Sequence, residues 1–197
     1  MEKRNFHAEH EEEVFEEATK LVHQFAKLYN DGGVELLMSS IYHHTNEVLE
    51  KAGLWKQASC KGACSACCHD TIFMPSLEAE FIQDMLLKHE VTGDQRRKEL
   101  QSSGEQIKWM DKACPYLLDE NEEGRRLCSI YEIRPMVCRT HNSTEDPKFC
   151  NKEDYPDRFI NEGRVVHTEA ITVALMMMKH DVDKQGNAIM TPIHELV

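Results

Sequence analysis

Four thiols fall within nine residues, Cys60-Lys61-Gly62-Ala63-Cys64-Ser65-Ala66-Cys67-Cys68, and two of them are adjacent. No other stretch limits so strongly what this chain can become. Exposed free thiols held this close together oxidise, so a metal ion or cluster is the simplest reason to gather them. Thiolates select soft or borderline centres, zinc and iron–sulfur above all. Cys114, Cys128, Cys138 and Cys150 follow, so all eight cysteines lie between residues 60 and 150. Gly62, Ala63, Ser65 and Ala66 are small enough to let backbone amides approach the sulfurs, which spreads thiolate and sulfide charge.

The rest of the chain sets the compartment. Met1-Glu2-Lys3-Arg4-Asn5-Phe6 leads into acidic residues and carries no apolar signal core, and no window has the length of a membrane span. A cytoplasmic location is expected, where structural disulfides are rare. Eight cysteines there argue for metal ligation or redox chemistry rather than a disulfide framework. Adjacent Cys67 and Cys68 would make a strained disulfide with each other. Their side chains are expected to diverge, so that they serve different centres or only one of them ligates.

Lys and Arg total 23 against 35 Asp and Glu, a net charge of −12. That disfavours non-specific binding to nucleic acid or anionic membrane, and neither is an expected partner. Arg96-Arg97-Lys98 and Arg125-Arg126 read as solvated faces. A protein or peptide partner is open, and the acidic N-terminal helical pair could serve a dimer or other oligomer.

At 197 residues the chain reads as a single domain, 1–197, with room for a sizeable core. Its parts are an N-terminal helical pair (1–57), a cysteine-cluster core (58–150), and a C-terminal helix and tail (151–197). The fold class is mainly α, a helical bundle with a cysteine-rich insert of loops and a short hairpin. Val14, Ala18, Leu21, Phe25 and Leu28 recur at helical spacing over 6–29, and Asn30-Asp31-Gly32-Gly33 stops that helix. A second runs over 34–52 on Leu37, Met38, Ile41 and Leu49, closed by Gly53, and the two should be antiparallel. His23, His43 and His44 on these helices could ligate, but a polar helix face is their ordinary home.

Thr71 to Pro75 looks extended, and Ser76 is placed to cap a helix over 77–89. A weaker helix is expected over 95–109, interrupted by Gly104. Residues 114–118 and 127–131 flank an acidic Gly-containing turn, which predicts a hairpin bringing Cys114 and Cys128 together. Residues 132–139 can form only a short turn around Pro135, and 141–160 read as loop. A last long helix is expected over 161–179, its Met176-Met177-Met178 a pliable core filler rather than a copper site. Thr191 to Leu196 suggests a final helical turn.

Cys60-x3-Cys64-x2-Cys67-Cys68, then Cys114-Pro115-Tyr116-Leu117, then Cys128-x-Ile130-Tyr131-x-x-Arg134-Pro135-x-x-Cys138-Arg139 resembles the CxxCxxCC domain, the zinc- or iron-chelating family of YkgJ-like cysteine-cluster proteins. The resemblance covers roughly residues 58–150, and its first gap is three residues where the family has two. It implies chelation. Flagellin lysine-N-methylases are similar in their cysteine pattern, which is associated there with an iron–sulfur cluster, and they are larger than this chain.

Four thiolates complete one tetrahedral zinc or one [4Fe–4S] cluster, so eight suffice for two sites, or for one with redox thiols to spare. A single site would join the first stretch to Cys128 and Cys138, and metal binding would then drive folding. His69 and His141 are candidate ligands or supporting donors. Arg134 and Arg139 could offset thiolate charge or grip an anionic substrate. Tyr131 is expected to pack against the site. The expected cofactor is an iron–sulfur cluster, [4Fe–4S] foremost, with an iron or zinc ion as the alternative. The expected function is a metal-binding protein, with redox or protein-modifying activity open. A structural zinc module for partner binding, or metal buffering and delivery, is the alternative. Phosphate-loop, Rossmann and nucleophile-elbow motifs are missing, so the sequence leaves enzymatic activity undecided.

Overall fold

In the computed structural model the described residues are 6–60, 64–103, 108–151, 153–155, 165–181 and 188–196. The fold is mainly α-helical, with one two-stranded sheet among the described residues. Helix α1 (Phe6–Lys51) is broken at Gly32 and Gly33 into two limbs, 6–31 and 34–51. Gly33 has φ 68° and ψ −163°, a region open essentially to glycine. The first limb runs on through residue 31, and the break falls within the expected stop, at its two glycines. Glu17 of the first limb and His44 of the second both reach His167, so the limbs fold back on each other. The apolar stripes lie as their periodicity demands: Val14, Ala18, Leu21 and Phe25 are buried, as are Leu37, Met38, Ile41 and Leu49.

Gly53, at φ 68°, ends α1, and the short helix α2 (Leu54–Gln57) leads to the cysteines. Strand β1 (Phe73–Met74) pairs antiparallel with β2 (Thr191–Pro192), Phe73 against Pro192 and Met74 against Thr191. The expected C-terminal helical turn is thus a strand first and a 3-10 turn only over Ile193–Glu195. Pro192 leaves the N–H of Ile193 to donate to the Ile72 carbonyl at 2.8 Å.

Helix α3 (Ser76–Lys88) buries Leu77, Phe81, Ile82 and Leu86. Ser76 is not its side-chain cap. Both its N–H and its hydroxyl donate to the Asp181 carboxylate, at 2.9 and 2.6 Å, from the other end of the chain. Helix α4 (Gln95–Ser102) is capped by Asp94, whose carboxylate accepts from the Arg97 N–H at 2.9 Å. It is shorter than expected, and Trp109 opens a separate 3-10 turn, Trp109–Lys112. Gly104 and Ile107 lie outside the described residues. Helix α5 (Met136–Thr140) starts immediately after Pro135, and the final helix α6 is Val166–Lys179, with expected positions 161–164 outside the described residues. Ala170, Ile171, Ala174 and Leu175 of α6 join one core with both limbs of α1 and with α3. Met177 and Met178 pack against that core. Among the described residues no helix is long and apolar enough to cross a membrane.

Candidate metal centre

The first cysteine stretch is held by backbone hydrogen bonds from two distant loops. Ser59 donates its N–H to the Ser143 carbonyl at 2.7 Å, and its hydroxyl to the Thr144 carbonyl at 2.9 Å. At the other end the Cys114 N–H donates to the Cys68 carbonyl at 2.6 Å. Between them Ala66–His69 forms a 3-10 turn that carries the vicinal pair.

The expected hairpin is present. Leu117 and Cys128 form an antiparallel bridge, flanked by bonds from Leu118 N–H to the Leu127 carbonyl (2.8 Å) and from Ser129 N–H to the Tyr116 carbonyl (2.9 Å). Gly124, at φ 70°, supplies the turn. Arg97 braces the hairpin, donating to the Leu117 carbonyl and pairing with Asp119 at 2.7 Å. The Arg96-Arg97-Lys98 run is therefore more than a solvated face, since Lys98 also donates to the Leu196 carbonyl.

Six cysteines line one cavity of about 150 Å³: Cys64, Cys67 and Cys68 from the first stretch, Cys114 and Cys128 from the hairpin, and Cys138 from α5. Ile72, Leu117, Ile130 and Ile193 give it apolar walls. The vicinal side chains do not diverge. Cys67 and Cys68 hydrogen-bond to each other in this cavity, which with burial pushes the Cys67 thiol up. Burial raises Cys114 to about 12 and also raises Cys128 and Cys138, and the charge of neighbouring sulfurs adds to each rise. Thiols this crowded in an apolar site can all ionise only beside a compensating cation.

Backbone amides face the sulfurs at regular intervals. Ala66 N–H serves Cys64, Tyr116 N–H serves Cys114, and Ile130 N–H serves Cys128, each two residues downstream of its cysteine. Ser143 N–H donates to Cys60 Sγ at 3.4 Å. Such donors stabilise thiolate ligands. Among the described residues no three His, Cys, Asp or Glu side chains already converge on a common point. The donor types, the apolar walls and the amides at sulfur fit a thiolate-bound metal or cluster.

Cys60 and Cys150 stand apart from the cavity. The Cys60 thiol donates to Cys64, which pulls Cys64 down and pushes Cys60 up, and Cys150 acts on Cys60 through its charge. His141 lies close enough to Cys64 to favour its thiolate. The eight cysteines therefore fall into two neighbouring groups with Cys64 between them.

The candidate arginines divide. Arg134 lines the cavity, stacks on the Tyr131 ring at 3.7 Å and favours the Cys128 thiolate. Arg139 is not at the cavity. It is buried over the Tyr42 ring at 3.9 Å and donates to the Arg134 carbonyl at 3.0 Å and to the Glu132 carbonyl. It shapes the loop before α5 instead of offsetting thiolate charge. His69 is buried beside Arg126, whose guanidinium lies 3.5 Å from its Nε2. Arg126, expected on a solvated face, lines the cavity. Its place two residues before Cys128 was the available signal.

A family profile, CxxCxxCC, described as a putative zinc- or iron-chelating domain, matches residues 59–157. No curated protein and no solved structure matches the chain.

Proposed function

From the chain's membership in the CxxCxxCC family of zinc- or iron-chelating domains, we propose that it holds iron, foremost as a [4Fe–4S] cluster, in the six-cysteine cavity. Cys67, Cys114, Cys128 and Cys138 are the leading ligands, with Cys64 and Cys68 at the same cavity. One observation carries this reading. Three segments far apart in sequence deliver their sulfurs to one apolar cavity with backbone donors aimed at them. A bound cluster would supply electron transfer or Lewis acidity there. Arg126 and Arg134 at the wall would balance its negative charge. Exposed Leu127 and Tyr131 at the same wall suit a protein or peptide as the molecule acted on or bound. Eight unbridged cysteines accord with a cytoplasmic setting.

The test is elemental analysis with sulfide determination on anaerobically purified protein. Iron with acid-labile sulfide and a brown colour is the expected result. A colourless protein with stoichiometric zinc removes the cluster and keeps a metal centre.

A structural zinc module is the second reading, and one observation favours it. Cys60, Cys150 and His141 lie around Cys64 at the edge of the cavity, and three thiols with one imidazole are the donor types of a closed zinc set. Zinc bound there would be lost together with stability on chelation, with no exchangeable ligand position.

A further inference from the structure

We propose that His44 and His167 form a second binding site, for a borderline divalent cation of the zinc type, which clamps α6 to both limbs of α1. The site is distinct from the cysteines, and its residues lie outside the family-matched 59–157. His44 Nε2 and His167 Nε2 face each other at 2.8 Å, with ring centroids 5.0 Å apart and planes at 78°. Two imidazole nitrogens directed at one point, with a single proton between them to be moved aside, are a starting arrangement for an imidazole-bound dication.

The outer nitrogen of His167 is held as well, and that of His44 faces a carboxylate. His167 Nδ1 sits 3.0 Å from Glu17 Oε1 on the first limb, and His44 Nδ1 sits 4.0 Å from Glu47 Oε2 on the second. A carboxylate behind an imidazole orients the ring and raises the basicity of its other nitrogen. His43 lies 3.6 Å from Glu47 on the outer side, and Lys51 is the nearby cation that opposes charging of His44.

The hydrogen bonds set the proton positions without metal. His167 donates from Nδ1 to Glu17, so its Nε2 accepts, and His44 donates from Nε2. Zn–N bonds of about 2.0–2.1 Å at a tetrahedral angle place two nitrogens about 3.3 Å apart. The rings therefore need to open by only about half an ångström from their present spacing. On binding, the His44 proton moves from Nε2 to Nδ1, on the Glu47 side, and no net proton is released. Among the described residues no third side chain joins them as a ligand, so water fills the remaining positions. His44 is 48% exposed and His167 25% exposed, which leaves that water and the incoming ion a path. Burial and His167 both lower the His44 pKa, which keeps its imidazole neutral.

The test is Zn²⁺ titration of the full chain as purified, with its cysteine-bound metal in place, followed in the side-chain ¹⁵N spectrum of histidine. The expected result is that both Nε2 signals shift together while the His44 proton appears at Nδ1. His44→Gln and His167→Gln should each weaken this binding tenfold or more and remove the Zn²⁺-dependent rise in melting temperature. Glu17→Gln keeps both Nε2 atoms and should weaken binding about tenfold through the lost carboxylate. It replaces a histidine variant that does not fold. Unmoved ring signals, or a Zn²⁺ response equal in wild type and variants, would overturn the proposal and assign the added zinc to the thiols.

Discussion

The Glu78 carboxylate accepts the backbone N–H of Met136 at 2.6 Å, across 58 residues of sequence. Met136 is the first residue of α5, and α5 carries Cys138 into the cavity. The same Oε1 accepts the Tyr42 hydroxyl at 2.9 Å, and the Arg139 guanidinium lies over the Tyr42 ring. One buried acid thus fastens a cysteine-bearing helix to α1 and α3.

That acid should leave a mark on stability against pH. Burial raises the Glu78 pKa from 4.5 to about 7, although three neighbours pull it back. In that window the native state binds more protons than the unfolded one, so stability falls as pH rises from about 4.5 to about 7. The span corresponds to about 3 kcal/mol. Glu78→Gln keeps an acceptor oxygen and cannot ionise. Urea unfolding midpoints of wild type and Glu78→Gln should diverge over that window, with the variant the flatter.

The cysteines should not be equivalent. Cys67→Ser, Cys114→Ser, Cys128→Ser and Cys138→Ser each remove a cavity sulfur, and under the proposed cluster each should leave less than about a tenth of the iron and sulfide found in the wild type. Cys150→Ser lies outside the cavity and should retain most of it. Metal and sulfide assays on each purified variant decide the matter, and equal losses at Cys150 and Cys138 would merge the two cysteine groups into one.

Two glycines separate backbone strain from crowding. A Cβ at Gly33 or at Gly53 would meet nothing within 4 Å, so only conformation matters. Gly53 has φ 68° and ψ 15°, which asparagine tolerates. Gly33 has ψ −163°, where a side chain costs about 1–3 kcal/mol. Thermal unfolding should show Gly53→Asn near wild type and Gly33→Asn clearly destabilised.

Asp181 closes the start of α3 from beyond α6. Asp181→Ala deprives the Ser76 N–H and hydroxyl of their acceptor at once. A loss of about 1–2 kcal/mol is expected, in the range of a helix cap. Ser76→Ala keeps the backbone bond and should lose less, and denaturant titration of the pair gives the order.

What could be read from sequence was whatever repeats locally. The stripes of α1, α3 and α6 declare themselves through apolar spacing, and the vicinal cysteines through their proximity. Glu78 looks the same as Glu80, one acid of a first turn, because its burial is decided by Met136 and Tyr42 on other elements. Arg139 sits next to Cys138 in sequence, yet its side chain points to Tyr42, because the α5 backbone sends adjacent residues to different faces. Ser76 lost its expected capping role to Asp181, a competitor invisible at short range. His44 reads as a polar-face residue until His167, 123 positions later, stands opposite it.

Helix α6 packs on both limbs of α1, and it follows every cysteine in the chain. During synthesis, then, all eight thiols emerge before the element that locks their frame exists. A chain ending before Val166 would carry the full set of thiols without the helix that packs on both limbs of α1.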